Sequence, residues 1–92
     1  MGVKFVWDAR KARSNLRKHG VSFEEANSVF LDPLSVTGAD PDHSLGENRW
    51  LTFGVSLQER FLVVSHVDEG DTIRIISARS GTRPERKIYE HG

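Results

Sequence analysis

The sequence predicts an α+β domain in which helices pack on a mostly antiparallel sheet in two layers, with the element order β-α-α-β-β-β-β-α. Three observations carry this expectation. Two helix-start signals, at Asp8 and Ser22, lie close together near the N-terminus. Apolar runs rich in β-branched residues then recur between turn-forming stretches, as strands do. Finally, Thr82 and Glu85 form a T-x-x-E signal that opens a last, cationic helix. With 92 residues, 37% of them apolar, the chain suffices for one modest core, so residues 1–92 are read as a single folded domain.

Val3, Phe5 and Trp7 alternate with Lys4 and Val6 in a short opening strand, and Asp8 follows as the N-cap of A-R-K-A-R-S-N-L-R-K-H. Ala9, Ala12 and Leu16 give that helix a narrow apolar stripe suited to lying on a sheet, and Gly20 is placed to end it. Ser22 with Glu25 reads as a capping box, with Phe23, Ala26 and Phe30 on one face of the second helix. Asp32-Pro33 stops it, since proline cannot continue the ladder and pushes its predecessor out of the helical region. Leu34 to Thr37 reads as a short strand, and Gly38 to Asn48, rich in turn formers, as a surface loop holding His43 and Glu47.

Trp50–Leu57 and Phe61–Val67 form a hairpin around Gln58-Glu59, and a second turn at residues 68–71 leads into a strand from Thr72. The simplest register puts Leu51, Phe53, Val55, Leu62, Val64, Ile73 and Ile75 on the face that receives the helices. The opposite face is mixed, with Arg74 beside Phe61, Val63 and Ile76, and is either covered by the last helix or left as a binding surface. His66 shares parity with Leu62 and Val64 and is the histidine expected to be buried.

The chain has no cysteine, which excludes disulfides and thiolate metal sites, and its histidines lack metal-ligand spacing, so no cofactor is expected. No segment reaches the length of a membrane span and no signal-like run is present, which predicts a cytoplasmic protein with no membrane partner. Net charge is zero, which by itself disfavours a nucleic-acid binder. The distribution is uneven, however: residues 1–19 carry Lys4, Arg10, Lys11, Arg13, Arg17 and Lys18 against Asp8, and residues 72–92 are net +3, while residues 20–48 are net −6. Two basic ends folded onto one side would give a neutral protein a positive face. A solvated helix face explains each basic row taken singly. No recognition-helix motif with a matching basic face argues for direct DNA binding.

Several stretches together resemble the BrnT toxins: F-V-W-D-x-x-K at Phe5 to Lys11, N-x-x-K-H-G-V-x-F-E-E-A at Asn15 to Ala26, F-x-D-P at Phe30 to Pro33, and I-R-I-I-S-A-R followed by E-R-x-x-Y between Ile73 and Tyr89. The resemblance spans nearly the whole chain in order. It implies a RelE-like fold, ribonuclease activity without a metal, and neutralisation by a BrnA-like antitoxin. DNA would then be met only through the antitoxin, in a heterotetramer built on antitoxin dimerisation. Lys11, Lys18, His19, Glu47, Arg49, Arg79, Arg86 and Tyr89 occupy the family's recurrent polar positions. Ser80-Gly81 stands where that pattern is more helix-forming, so the last helix is expected to start late or be loosely anchored.

Metal-free RNA cleavage needs a base for the 2′-hydroxyl, positive charge for the phosphorane, and a proton for the leaving oxygen. Arg79 and Arg86 are the expected phosphate ligands, with Arg74 or Arg49 assisting, and His19 or Glu47 is the expected base. Lys11, Lys18 and Arg83 would hold RNA, with Trp50 or Tyr89 stacking a base. The scheme requires the two basic ends to ring one phosphate pocket. Arginines scattered over opposite surfaces, or locked into bridges with Asp and Glu, would defeat this scheme and leave the rival reading, a non-catalytic module that holds another polypeptide.

Overall fold

The computed structural model describes residues 2–41 and 48–92, and the element order is the expected one. Strand β1 (Lys4–Val6) leads into α1 (Ala9–His19) and α2 (Phe23–Ser28), which tightens into a 3-10 turn at Val29–Leu31. Strands β2 (Val36–Ala39), β3 (Arg49–Val55), β4 (Phe61–Glu69) and β5 (Thr72–Ser80) follow, then α3 (Arg83–His91). They form one five-stranded sheet in the order β1-β5-β4-β3-β2, antiparallel except for the β1–β5 pair.

Local chemistry sets the helix ends. The Asp8 carboxylate accepts from the amides of Arg10 and Lys11 at 2.7 and 3.2 Å, and Gly20 ends α1 at φ 70°, a conformation that costs glycine little. Ser22 Oγ accepts from the Glu25 amide at 3.0 Å, but the expected capping box is only half made. The Glu25 carboxylate turns instead to the β3–β4 hairpin, accepting from Ser56 Oγ at 2.7 Å and Arg60 Nε at 2.9 Å. Arg60 lowers the pKa of Glu25, with burial opposing it and Ser56 helping.

The core lies between the sheet and α1–α2, where Val21, Phe23, Ala26 and Val29 meet Leu62, Val64, Ile75 and Ala78. Two of its contributors differ from expectation. Thr52 and Gly54 face this core, not Leu51, Phe53 and Val55, because Thr52 pairs with Val64 and Gly54 with Leu62. The hairpin loop is Leu57-Gln58-Glu59, with Glu59 at φ 63°, one residue longer than the simplest turn, and that single residue flips the parity of β3. Leu16, expected to lie on the sheet, is 52% exposed, and Asn15 takes the buried position in α1.

Helix α3 covers part of the opposite face. Its Tyr89 ring lies 5.3 Å from Phe61, which is in turn 6.3 Å from Phe53. The α3 start is firm, unlike the expectation: Thr82 Oγ1 accepts from the Glu85 amide, and the Glu85 carboxylate accepts from the Thr82 amide at 2.8 Å, a complete capping box. Gly81 makes this possible, since its amide donates to the Phe61 carbonyl and a Cβ there would stand 2.1 Å from Phe61 Cε2. Gly81→Ala is therefore expected to lower stability by roughly 1–3 kcal/mol, as overpacking does, visible as a drop in melting temperature.

Candidate functional site

Strand β1 pairs only with Thr72, Ile73 and Arg74, so the C-terminal half of β5 has no strand neighbour on that side among the described residues. Helix α1 takes the vacant place through one side chain. Asn15 Nδ2 donates to the Ala78 carbonyl at 2.8 Å and to the Val21 carbonyl at 2.9 Å, while the Ala78 amide donates to Asn15 Oδ1 at 3.1 Å. Buried backbone groups need such partners, and here one amide serves three of them.

A β-bulge sits beside this contact. Ser65 pairs with Ser77 and His66 with Ile75, which leaves Ile76 without an opposite residue. The bulge turns both Ile75 and Ala78 toward the core and sends Ser77 and Arg79 to the other side of the strand. Between the bulge and α1 lies an open cleft of about 270 Å³ lined by Lys11, Ser14, Asn15, Lys18, His19, Ile76 and Ser77. Three of the residues expected to act on RNA are thus brought together: two ammonium groups and an exposed imidazole, on one helix face spaced i−4, i+3 and i+4 from Asn15.

The remaining candidates are placed elsewhere. Arg79 forms a bidentate pair with Glu85, Nη1 to Oε1 at 2.9 Å and Nη2 to Oε2 at 2.8 Å. Arg79 holds the Glu85 carboxyl down to about 2, against the opposing effect of burial. Arg86 stacks over Phe61, its Cζ 5.5 Å from the ring centroid, and reaches Glu90 at 3.4 Å. Arg83 is exposed at the start of α3. Tyr89 donates its hydroxyl to Asp32 Oδ2 at 2.7 Å, and this bond raises its pKa. Asp32 also accepts from the amides of Val55 and Leu34, both at 2.9 Å; burial pushes its carboxyl up, but these bonds leave it lowered overall. Arg74 is exposed and pairs with Glu69 at 3.3 Å. Arg49 and Trp50 are half-buried at the start of β3, with Trp50 opposite His66 and so on the face away from Tyr89. Glu47 and His43 lie outside the described residues.

One phosphate pocket ringed by guanidinium groups from both ends is therefore not what the fold displays. Lysines and a histidine line the α1 cleft, while Arg74, Arg79 and Arg86 each carry an acidic partner. The two groups still share β5: Ser77 lines the cleft, and Arg79 follows two residues later on the same side, about 7 Å along the strand.

One further constellation invites a catalytic reading. His66 Nδ1 is 2.6 Å from Asp68 Oδ1, its Nε2 is 2.7 Å from Thr52 Oγ1, and Thr52 is 2.7 Å from Thr37 Oγ1. Thr52 has no exposed surface and His66 only 1%, so no substrate reaches them. The chain of bonds satisfies polar groups beneath Phe30, whose ring stands edge-on to His66 at 5.0 Å. Sequence reasoning missed Asn15, Asp32 and the Arg79–Glu85 pairing. An asparagine inside a helix, where it is a poor former, was the available signal for the first.

Residues 7–85 match the family described as "Ribonuclease toxin, BrnT, of type II toxin-antitoxin system". No curated protein matches the sequence. Among solved structures, the fold resembles the crystal structure of the Brucella abortus ribonuclease toxin BrnT, with a TM-score of 0.66 and 21% identity over 88% of this chain and 99% of that one.

Proposed function

The chain belongs to the BrnT family of ribonuclease toxins of type II toxin-antitoxin systems, and from that premise we propose that it is a metal-independent endoribonuclease that cleaves RNA to arrest growth. The observation that carries the proposal is the convergence of Lys11, Lys18 and His19 on one open cleft at the β5 edge. His19 takes the proton from a ribose 2′-hydroxyl as that oxygen attacks phosphorus. The Lys11 ammonium offsets the phosphorane charge, and the Lys18 ammonium gives a proton to the departing 5′-oxygen. The products are a 2′,3′-cyclic phosphate and a 5′-hydroxyl end. Arg79, Arg83 and Arg86 hold flanking phosphates, Arg79 by exchanging Glu85 for RNA.

A BrnA-like antitoxin neutralises the toxin, in a heterotetramer assembled through the antitoxin. The rival reading, a module that only holds a partner, draws support from the acidic partners of Arg74, Arg79 and Arg86. The purified chain, incubated with RNA in excess chelator, is expected to yield cyclic-phosphate ends. Lys11→Ala with Lys18→Ala should weaken binding of single-stranded RNA and flatten its salt dependence by roughly 1.4 logarithmic units per decade, the loss of two cationic contacts. Intact RNA under all conditions, together with normal antitoxin binding, would establish the rival instead.

A further inference from the structure

We infer that Asn15 is a positioning residue for the cleavage reaction, setting where His19 stands against the bulged edge of β5. This rests on the reading of His19 as the base. Apart from Ala12, half-buried against the core, helix α1 is exposed, and Asn15 is its buried residue, at 6% exposure. Its amide meets both backbone groups of Ala78 in the way a neighbouring strand would, at the place where β1 has already ended. A third bond, to the Val21 carbonyl, ties the same amide to the link between α1 and α2.

The geometry then propagates in two directions. Along the helix, His19 and Lys18 stand one turn after Asn15 and Lys11 one turn before it, so the face clipped to the strand is the face that carries the charges. Along the strand, the bulged Ile76 and Ser77 immediately precede Ala78 and form the opposite wall of the cleft. The amide-to-backbone clip thus sets the width of the cleft at His19 together with two further ties of α1, Ala12 packed on the core and the Gly20 carbonyl accepting from Arg60 Nη2 at 2.9 Å. Apolar packing at the level of the clip adds little, because Leu16, the large apolar residue beside Asn15, is 52% exposed.

An apolar side chain at position 15 would serve a helix that merely needed covering, but it would strand the Ala78 and Val21 backbone groups. A carboxylate lacks the donors that two carbonyls require. Glutamine keeps both functions on a stem longer by about 1.5 Å, which moves the helix relative to the strand without removing the clip. Displacement of that size is enough to cost on the order of 100-fold in a reaction that depends on a near-attack geometry.

The test is a double-mutant cycle on the full chain with Asn15→Gln, His19→Gln and the pair, with single-turnover RNA cleavage normalised to the folded fraction from thermal melts. Binding is measured with an RNA whose target ribose is 2′-deoxy. Asn15→Gln is expected to slow cleavage about 30- to 100-fold at saturating RNA while binding changes less than about threefold, and the pair should be no slower than His19→Gln alone. Should Asn15→Gln not fold, Asn15→Ser enters the same cycle with the same expectation. If the position-15 change slows cleavage by the same factor with and without His19, or leaves activity per folded molecule unchanged, the positioning role is wrong although the ribonuclease reading stands. A wild-type chain that does not cleave RNA, or one indifferent to His19→Gln, overturns both.

Discussion

His19→Gln is expected to slow RNA cleavage by about 10²- to 10⁴-fold, the range that a positioned proton acceptor contributes. The side chain is exposed at the end of α1, and its removal takes nothing from the core. Stability should therefore change by no more than about 0.5 kcal/mol, and binding of a 2′-deoxy substrate only slightly. Growth arrest on induced expression should disappear with the cleavage. A variant that melts normally and cleaves at the wild-type rate would remove the imidazole from the mechanism and move the search for a base to Glu47.

Arg79→Ala is expected to remove cleavage to a comparable degree, about 10²- to 10³-fold if its guanidinium meets a phosphate in the transition state. An arginine with no structural partner could be replaced without touching the fold. The bidentate pair with Glu85 says otherwise, because Glu85 also caps α3 through the Thr82 amide. The folded Glu85 carboxyl titrates at about 2, below its ordinary 4.5, so its contribution is fully present above pH 4.5 and is lost as the pH falls toward 2. Asp32, which holds Tyr89 at the other end of α3, shifts in the same direction. Since Arg79 is 39% exposed, the pair is worth roughly 1–2 kcal/mol once solvent screening is allowed for. Acid should thus loosen α3 before the core, seen as loss of the near-ultraviolet signal of Tyr89 between about pH 4.5 and pH 2, and Arg79→Ala should make that region less pH-dependent. Glu85→Gln separates the two effects: it keeps the capping box but weakens the hold on Arg79, so RNA binding should tighten. Weaker binding would mean that the ion pair presents the guanidinium rather than withholding it.

How far the chain could be read in advance follows from the range of the forces involved. Asp8, Gly20, Ser22 and Thr82 act on residues no more than four positions away, and they delimit the helices at the positions read from the sequence, α3 more firmly than the family resemblance implied. The parity of β3 depended on one extra loop residue with Glu59 at positive φ, which the sequence does not announce with a glycine. The bulge at Ile76 was equally silent, since three isoleucines in I-R-I-I suit a straight strand as well. Of the site, Lys11, Lys18 and His19 were legible through the resemblance to the BrnT toxins, and their meeting on one helix face is what the structure adds. The partners of the arginines were not, because Arg79–Glu85 and Arg74–Glu69 depend on how the chain turns between them.

The two borders of the sheet are guarded differently. On the β2 side the border is four residues long and includes Gly38, too short and weak a template to recruit another chain strongly. On the β5 side a longer stretch would invite a foreign strand, and the asparagine side chain occupies its hydrogen-bonding positions at Ala78. A chain deprived of that guard would acquire a sticky seam as well as a displaced histidine, so clumping at high concentration should accompany any variant that lets α1 swing away.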